Sequence, residues 1–412
     1  MINLAQYPYN YHTLSNGIRL VHRYTPSQVA HLGVFIDVGS RDEKKSENGM
    51  AHFIEHCIFK GTEKLSSNRI LSRIDGVGGE LNAYTTKEET VVYATFLNNY
   101  YQRAIKLLSD IILNSTFPDK ELEKEKTVII EEINSYEDSP ADLIYDEFER
   151  LVFGDTGLGR MILGTPENVM RFSSNDVKGF ISNSWSAKNI VISTVGNIEF
   201  DRWARMCEKF FSPFPNRQTS VRKHKKYNYK PQFIRQNRDT FQTHIIIGNQ
   251  AYDYKNNKRV AFTLLNNILG SPAMNSALNM YIREKHGLVY TIESSFVPYS
   301  DNGIFQIYAG TEAKNIDKII SLIHKTLERF TEKRLTQNQI FRAKEQLKGQ
   351  LAIQYDYNKE EMLSIGKSLL NYGKVETLQE TFNEIDSITP KDILTVAGET
   401  FCISNLSTII YE

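Results

Sequence analysis

Residues 212–232 read SPFPNRQTSVRKHKKYNYKPQ, and this stretch separates two halves that carry the same kinds of element in the same order. It holds three prolines, a basic cluster from Arg222 to Lys226 and almost no aliphatic residues. That is the composition of a linker between domains, with the basic cluster read as a solvated charge run. Before it, IRLVHR (18–23), VAHLGVFIDVG (29–39), TVVYATFL (90–97) and NIVISTVGNI (189–198) have the β-branched, apolar character of strands. Helical stretches fall near 49–60, 66–76, 99–114 and 118–137. After it come a strand (243–252), two helices (260–270 and 275–287), strands at 289–296 and 303–311, helices from about 313 to 403, and a closing strand, LSTIIYE. Each half reads as a sheet covered by helices, repeated in element order and not in residue identity. The expected boundaries are 1–212 for the first domain, 213–232 for the linker and 233–412 for the second.

Charge and cysteine content narrow the setting. Lysine plus arginine equals aspartate plus glutamate, at 49 each, so no net charge draws the chain to nucleic acid or to a membrane surface. No apolar run approaches a membrane span, and MINLAQYPYNYHTLSNG lacks the basic and apolar regions of a signal peptide. Three widely spaced cysteines, Cys57, Cys207 and Cys402, fit free thiols in a reducing compartment. The expectation is a cytoplasmic protein.

The chemistry concentrates in HFIEH, residues 52–56. On a helix, His52 and His56 lie one turn apart on one face, so their imidazoles can converge on a tetrahedral ion such as zinc. Glu55 sits beside that face, placed to meet a water on the metal. This is the reverse of the commoner H-E-x-x-H order. With 9 histidines and 49 acidic residues in 412, chance yields such a pattern about 0.02 times. A third protein ligand is needed, and KELEKEKTVIIEEINSYED (120–138) offers candidates. Its glutamates interleave with Val128, Ile129, Ile130 and Ile133, and Glu125 and Glu132 stand two helical turns apart on one face.

These residues resemble the pitrilysin-type (inverzincin) zinc metallopeptidases, the family of insulin-degrading enzyme and the mitochondrial processing peptidase. AHFIEHCIFKGTEK (51–64) is similar to the family's H-F-L-E-H-M-x-F-K-G-T segment. The family's third zinc ligand is a glutamate about 76 residues beyond the second histidine, in an E-E-I context, which here falls on Glu132. The functionally important glutamate seven residues earlier falls on Glu125. GGELNAYTTKEETVVYATF (78–96) resembles the segment whose strand edge receives substrate, with Asn82 and Ala83 at the contacting positions. GRMILGTPENV (159–169) resembles a further family block, and REKHGLVY (283–290) the arginine–tyrosine pair, here Arg283 and Tyr290.

The resemblance spans essentially the whole chain and implies an α+β fold of two similar domains, each a mostly antiparallel sheet covered by helices. It implies one Zn2+ per chain on His52, His56 and Glu132, Glu55 as general base, and catalytic contributions from Glu125, Arg283 and Tyr290. Asn82, Ala83, Arg283 and Tyr290 would hold peptide substrates within an enclosed chamber. In single-chain relatives four such domains occur in a row, with zinc in the first and the arginine–tyrosine pair in the fourth. A two-domain chain carrying both features implies a homodimer with a shared active site. Two departures stand out. Cys57 replaces the family methionine, where a packing role is expected because adjacent helix positions diverge. LGSPAMNSAL (269–278) has fewer glycines than the loop of the processing peptidase, which weakens a presequence-processing alternative. The intact His52, Glu55, His56 and Glu132 argue against the other alternative, an inactive structural or partner subunit.

Overall fold

The computed structural model describes residues 9–219, 222, 227–238 and 240–412. The first eight residues of the stretch read for a signal peptide, and Lys223 to Lys226 of the basic cluster, lie outside the described residues. Two compact units form. The first comprises the described residues of Met1–Asn134, Arg160–Lys223 and Ile353–Thr377, the second those of Ser135–Gly159, His224–Ala352 and Leu378–Glu412.

The first unit is built on six strands: β1 (Tyr9–Thr13), β2 (Arg19–Tyr24), β3 (Val29–Ile36), β4 (Glu80–Thr85), β5 (Thr90–Leu97) and β6 (Ile190–Gly196). Their order is β1-β2-β6-β3-β5-β4, antiparallel except where β2 pairs with β6. The second unit has β7 (Phe233–Gln236), β8 (Thr243–Ala251), β9 (Val289–Pro298), β10 (Gly303–Thr311) and β11 (Ser407–Tyr411). Their order is β7-β11-β8-β10-β9, with only β7 and β11 parallel. Replacing β2 to β6 by β7 to β11 turns the first order into the second, so the repeat of element order is also a repeat of topology. The fold is α+β, with two mixed, mostly antiparallel sheets packed with helices.

Both sheets are covered on two faces, which is why their central strands are apolar with little alternation. In β3, Leu32, Val34 and Ile36 join the larger core, which includes Phe53 and Ile54 of the helix Met50–Cys57. Phe35 points the other way, into a second cluster with Met362, Ile365 and Leu369 of the helix Asn358–Tyr372. Gly366 permits that contact: a Cβ there would meet the Phe35 ring at 2.3 Å. In the second unit, Ile245 and Ile247 of β8 face the helices Arg259–Gly270, Ile316–Glu332 and Pro390–Thr400. The opposite face meets the helix Pro140–Phe153, where Tyr145 stacks on Tyr308 at 5.5 Å and Gln250 Nε2 donates to the Val152 carbonyl at 3.2 Å.

Each sheet thus takes one covering helix from the other half of the sequence. Pro140–Phe153 precedes the linker and covers the second sheet, while Asn358–Tyr372 follows the linker and covers the first. No helix of the described residues is long and apolar enough to cross a membrane.

Candidate metal centre

The short helix Met50–Cys57 carries both histidines, and its start is held by three devices. Gly49, just before it, has φ +98°, a conformation that favours glycine, and a Cβ there would stand 2.8 Å from the Leu163 carbonyl oxygen. Glu43, 4 % exposed, supplies the second device. Its carboxylate accepts from Ala51 N at 2.7 Å, Gly49 N at 2.8 Å and Asn48 Nδ2 at 3.1 Å, satisfying main-chain donors that a helix start leaves free. Third, Arg160 Nη2 donates to the Glu43 carbonyl at 2.6 Å and Asn48 Nδ2 to the Met161 carbonyl at 2.9 Å. Burial pushes the Glu43 carboxyl up to about 8, against the pull of these donors. The segment around Glu43, SRDEKKSENG, reads as solvated polar loop, so no sequence signal separates this buried acid from its neighbours Asp42 and Glu47.

A single long helix, Asp119–Glu137, places the glutamates. In Asp119–Glu137 the buried positions are Leu122, Glu125, Lys126, Ile129 and Ile133, a helical stripe that presses one face onto the core. Val128, read with that apolar face, is 49 % exposed. Donor atoms of His52, His56 and Glu132 all lie within 4.8 Å of one another. His56 Nε2 is 3.3 Å from Glu132 Oε2, and His52 Nε2 is 3.7 Å from Glu132 Oε1. His56 Nδ1 faces Glu125 Oε2 at 3.4 Å, and Lys60 Nζ pairs with Glu125 Oε1 at 2.6 Å. Burial, with His56 nearby, pulls His52 down to about 3, so its ring is neutral and one ring nitrogen has a free lone pair at neutral pH. His52 Nδ1 is buried without a hydrogen-bond partner. Two imidazoles and a carboxylate that is 43 % exposed, hence open to solvent on one side, are the donor set that zinc takes in catalytic sites. The residues fit the metal.

Glu55 lies beside this group. Burial raises its carboxyl above the ordinary range, opposed by hydrogen bonds from Thr85 and by His56. Thr85 ends β4, which among the described residues pairs only with β5 and so leaves its other edge unpaired. Asn82 and Ala83 sit within this edge strand, Asn82 exposed and Ala83 partly buried. Cys57 is fully buried in the core, its thiol raised by burial, and it is not among the converging donors.

Arg283 and Tyr290 belong to the second unit. Both are exposed, Tyr290 at 58 %. Arg283 Nη1 donates to Asn279 Oδ1 at 3.5 Å, and the Tyr290 hydroxyl to Glu312 Oε1 at 3.4 Å. Tyr290 also lines an open cleft of about 1450 Å³ with Arg238, Phe241 and His244.

A two-sheet α+β frame with two histidines and a glutamate converging beside a partly buried carboxyl defines a class, that of proteins with the metallopeptidase arrangement. Comparison with known proteins narrows it. The family described as Insulinase (Peptidase family M16) matches residues 19–166, and that described as Peptidase M16 inactive domain matches residues 171–347. An uncharacterized zinc protease of Bacillus subtilis (strain 168) is 33 % identical over 393 residues, 95 % of each chain. Another of Rickettsia bellii (strain RML369-C) is 34 % identical over 407 residues, 98 % of this chain and 97 % of that one. The chain belongs to the M16 peptidase family, in its two-domain form. The fold is shared with a protease from Helicobacter pylori (TM-score 0.89, 20 % identity, 98 % of this chain and 100 % of that one). It is shared equally with a peptidase M16 inactive domain from Pseudomonas fluorescens (TM-score 0.91, 17 % identity, 98 % and 97 %).

Proposed function

We propose that this chain is a zinc-dependent endopeptidase acting on peptides or unfolded polypeptides. The observation that carries the reading is the convergence of His52, His56 and Glu132 within 4.8 Å beside Glu55. When bound there, zinc would supply a Lewis acid for the scissile carbonyl and an acidified water. Glu55 accepts the water's proton as its oxygen attacks the carbonyl carbon, and then delivers that proton to the leaving amine. A carboxyl raised by burial suits both halves of this task, because it accepts a proton more readily than an ordinary carboxylate and can still return it. Glu125 holds Nδ1 of His56, fixing the ring so that Nε2 points toward Glu132.

Substrate would lie along the free edge of β4 as an added strand, bound mainly through main-chain hydrogen bonds, past Asn82 and Ala83. Because β4 ends at Thr85, which bonds Glu55, a peptide aligned on this edge is led to the base. Arg283 and Tyr290 would donate to the substrate carbonyl as negative charge develops there. In this reading they come from the second unit of a partner subunit, so that a homodimer encloses the substrate and each site draws on both chains. Incubating the purified protein with a mixed peptide pool, with and without chelator, tests the function. Cleavage that the chelator abolishes is expected, and cleavage indifferent to it would refute the reading.

A further inference from the structure

In the second unit a half-enclosed cavity of about 530 Å³ opens between the end of the helix Ile316–Glu332 and the start of the helix Gln337–Tyr355. Arg329, Lys333, Arg334 and Arg342 all line it, and no aspartate or glutamate among the described residues does. None of the four cations has a carboxylate within ion-pair distance among the described residues, although the chain as a whole is balanced in charge. Four like charges around one opening repel one another, and no carboxylate among the described lining residues offsets them. Between them Ile268, Phe330 and Ala343 give the wall an apolar surface. Deeper in, Ser276 is 2 % exposed and its Oγ has no hydrogen-bond partner. A buried hydroxyl left unsatisfied is costly, so it stands ready for an acceptor that is not part of the chain.

We propose that this cavity binds a small amphipathic organic anion, a phosphate monoester with an apolar body. Guanidinium groups match phosphate oxygens in geometry as well as charge, which three arginines here provide. The Ser276 hydroxyl donates to the same head group, while the apolar body lies against Ile268, Phe330 and Ala343. The volume falls within the ordinary range for small-molecule sites. Ser276 directly precedes the helical run 277–284 that carries Arg283, so the ligand would rest at the base of that run. The site is separate from the metal centre and does not depend on the peptidase reading.

Titration calorimetry on the full chain, stripped of metal so that phosphate cannot bind at the histidines, tests it with three probes. 1-Naphthyl phosphate carries both halves of the ligand, 1-naphthol only the apolar body, and inorganic phosphate only the charge. One saturable site per chain is expected for 1-naphthyl phosphate, at least about tenfold tighter than for either fragment, and weakened by salt. The double variant Arg329→Gln/Arg342→Gln should bind it at least about tenfold more weakly, and Ser276→Ala about threefold or more. Both arginines are exposed, so the fold should persist. Should the double variant misfold, Arg342→Gln alone must still weaken binding. Absence of a saturable site, affinity no greater than that of inorganic phosphate, or affinity unchanged in a natively folded variant would overturn the proposal.

Discussion

Glu125 Oε2 stands 3.4 Å from Nδ1 of His56, on the opposite side of that ring from Glu132. In the proposed reading, this buried carboxylate acts on the metal through the ring it faces. Removing its charge in Glu125→Gln should weaken zinc binding about 10–100-fold, as loss of such an outer partner does, while leaving all three ligands in place. Competition against a calibrated chelator measures this. Unchanged affinity would mean that Glu125 serves Lys60 and the fold alone.

Glu55 is assigned a proton and not the metal. Glu55→Gln should keep zinc at the level of the unaltered chain and lower turnover by about 10²-fold or more. Glu132→Gln should lose zinc. Elemental analysis beside peptide cleavage separates the two, and equal metal loss in both would contradict the division of roles.

The separation between legible and hidden features follows from how locally each is encoded. The spacing of His52 and His56 is a property of one helix turn, and the two-turn spacing of Glu125 and Glu132 brings both carboxylates to His56. Long apolar strands such as β3 and β8 stand out because both of their faces are buried. The four- and five-residue edge strands β7 and β1 carry little apolar periodicity and escape sequence reading. The packing of Pro140–Phe153 and Asn358–Tyr372, each on the sheet of the other half, depends on long-range contacts that no local pattern records. Glu43 is hidden for the same reason, since its burial is set by Arg160, Met161 and the helix it caps.

That cap leads to a prediction on stability. Gly49→Ala forces a side chain into a left-handed conformation and against the Leu163 carbonyl, and should cost about 2 kcal/mol or more. Urea melts should show a lower midpoint together with weaker zinc binding. A midpoint unchanged from the unaltered chain would contradict the close approach.

Acid sensitivity has a specific source in His22, which is 1 % exposed and packs against Phe200 and Trp203. Burial lowers it from 6.5 to about 4, so the unfolded chain takes up its proton first as pH falls. The stabilising effect of keeping it neutral is present above pH 6.5 and is lost as pH drops from there toward 4. Between pH 7 and pH 5, His22→Phe should lose about 2 kcal/mol less stability than the unaltered chain. Paired urea melts at the two pH values check this, and identical losses would contradict it.

Substrate binding by strand addition predicts that the peptide main chain matters more than its side chains. Peptides carrying N-methyl groups at alternate residues should lose about tenfold or more in kcat/KM, whereas alanine substitutions at the same positions should cost less. The sharing of sites between subunits has its own test. Mixing Glu55→Gln with Arg283→Ala chains, each inactive alone, should restore about a quarter of full activity once subunits exchange, since about half of the dimers are mixed and each holds one intact site. No recovery after confirmed exchange would contradict sharing.

Titrating zinc into chelator-stripped protein while following peptide cleavage tests the central claim most directly. Activity should be absent at the start, rise linearly and reach its plateau at about one zinc per chain. In the Glu132→Gln chain the same additions should give no sharp plateau at that point. Full cleavage by the stripped protein, or a plateau in Glu132→Gln identical to that of the unaltered chain, would contradict the assignment of His52, His56 and Glu132 as the metal centre of a peptidase.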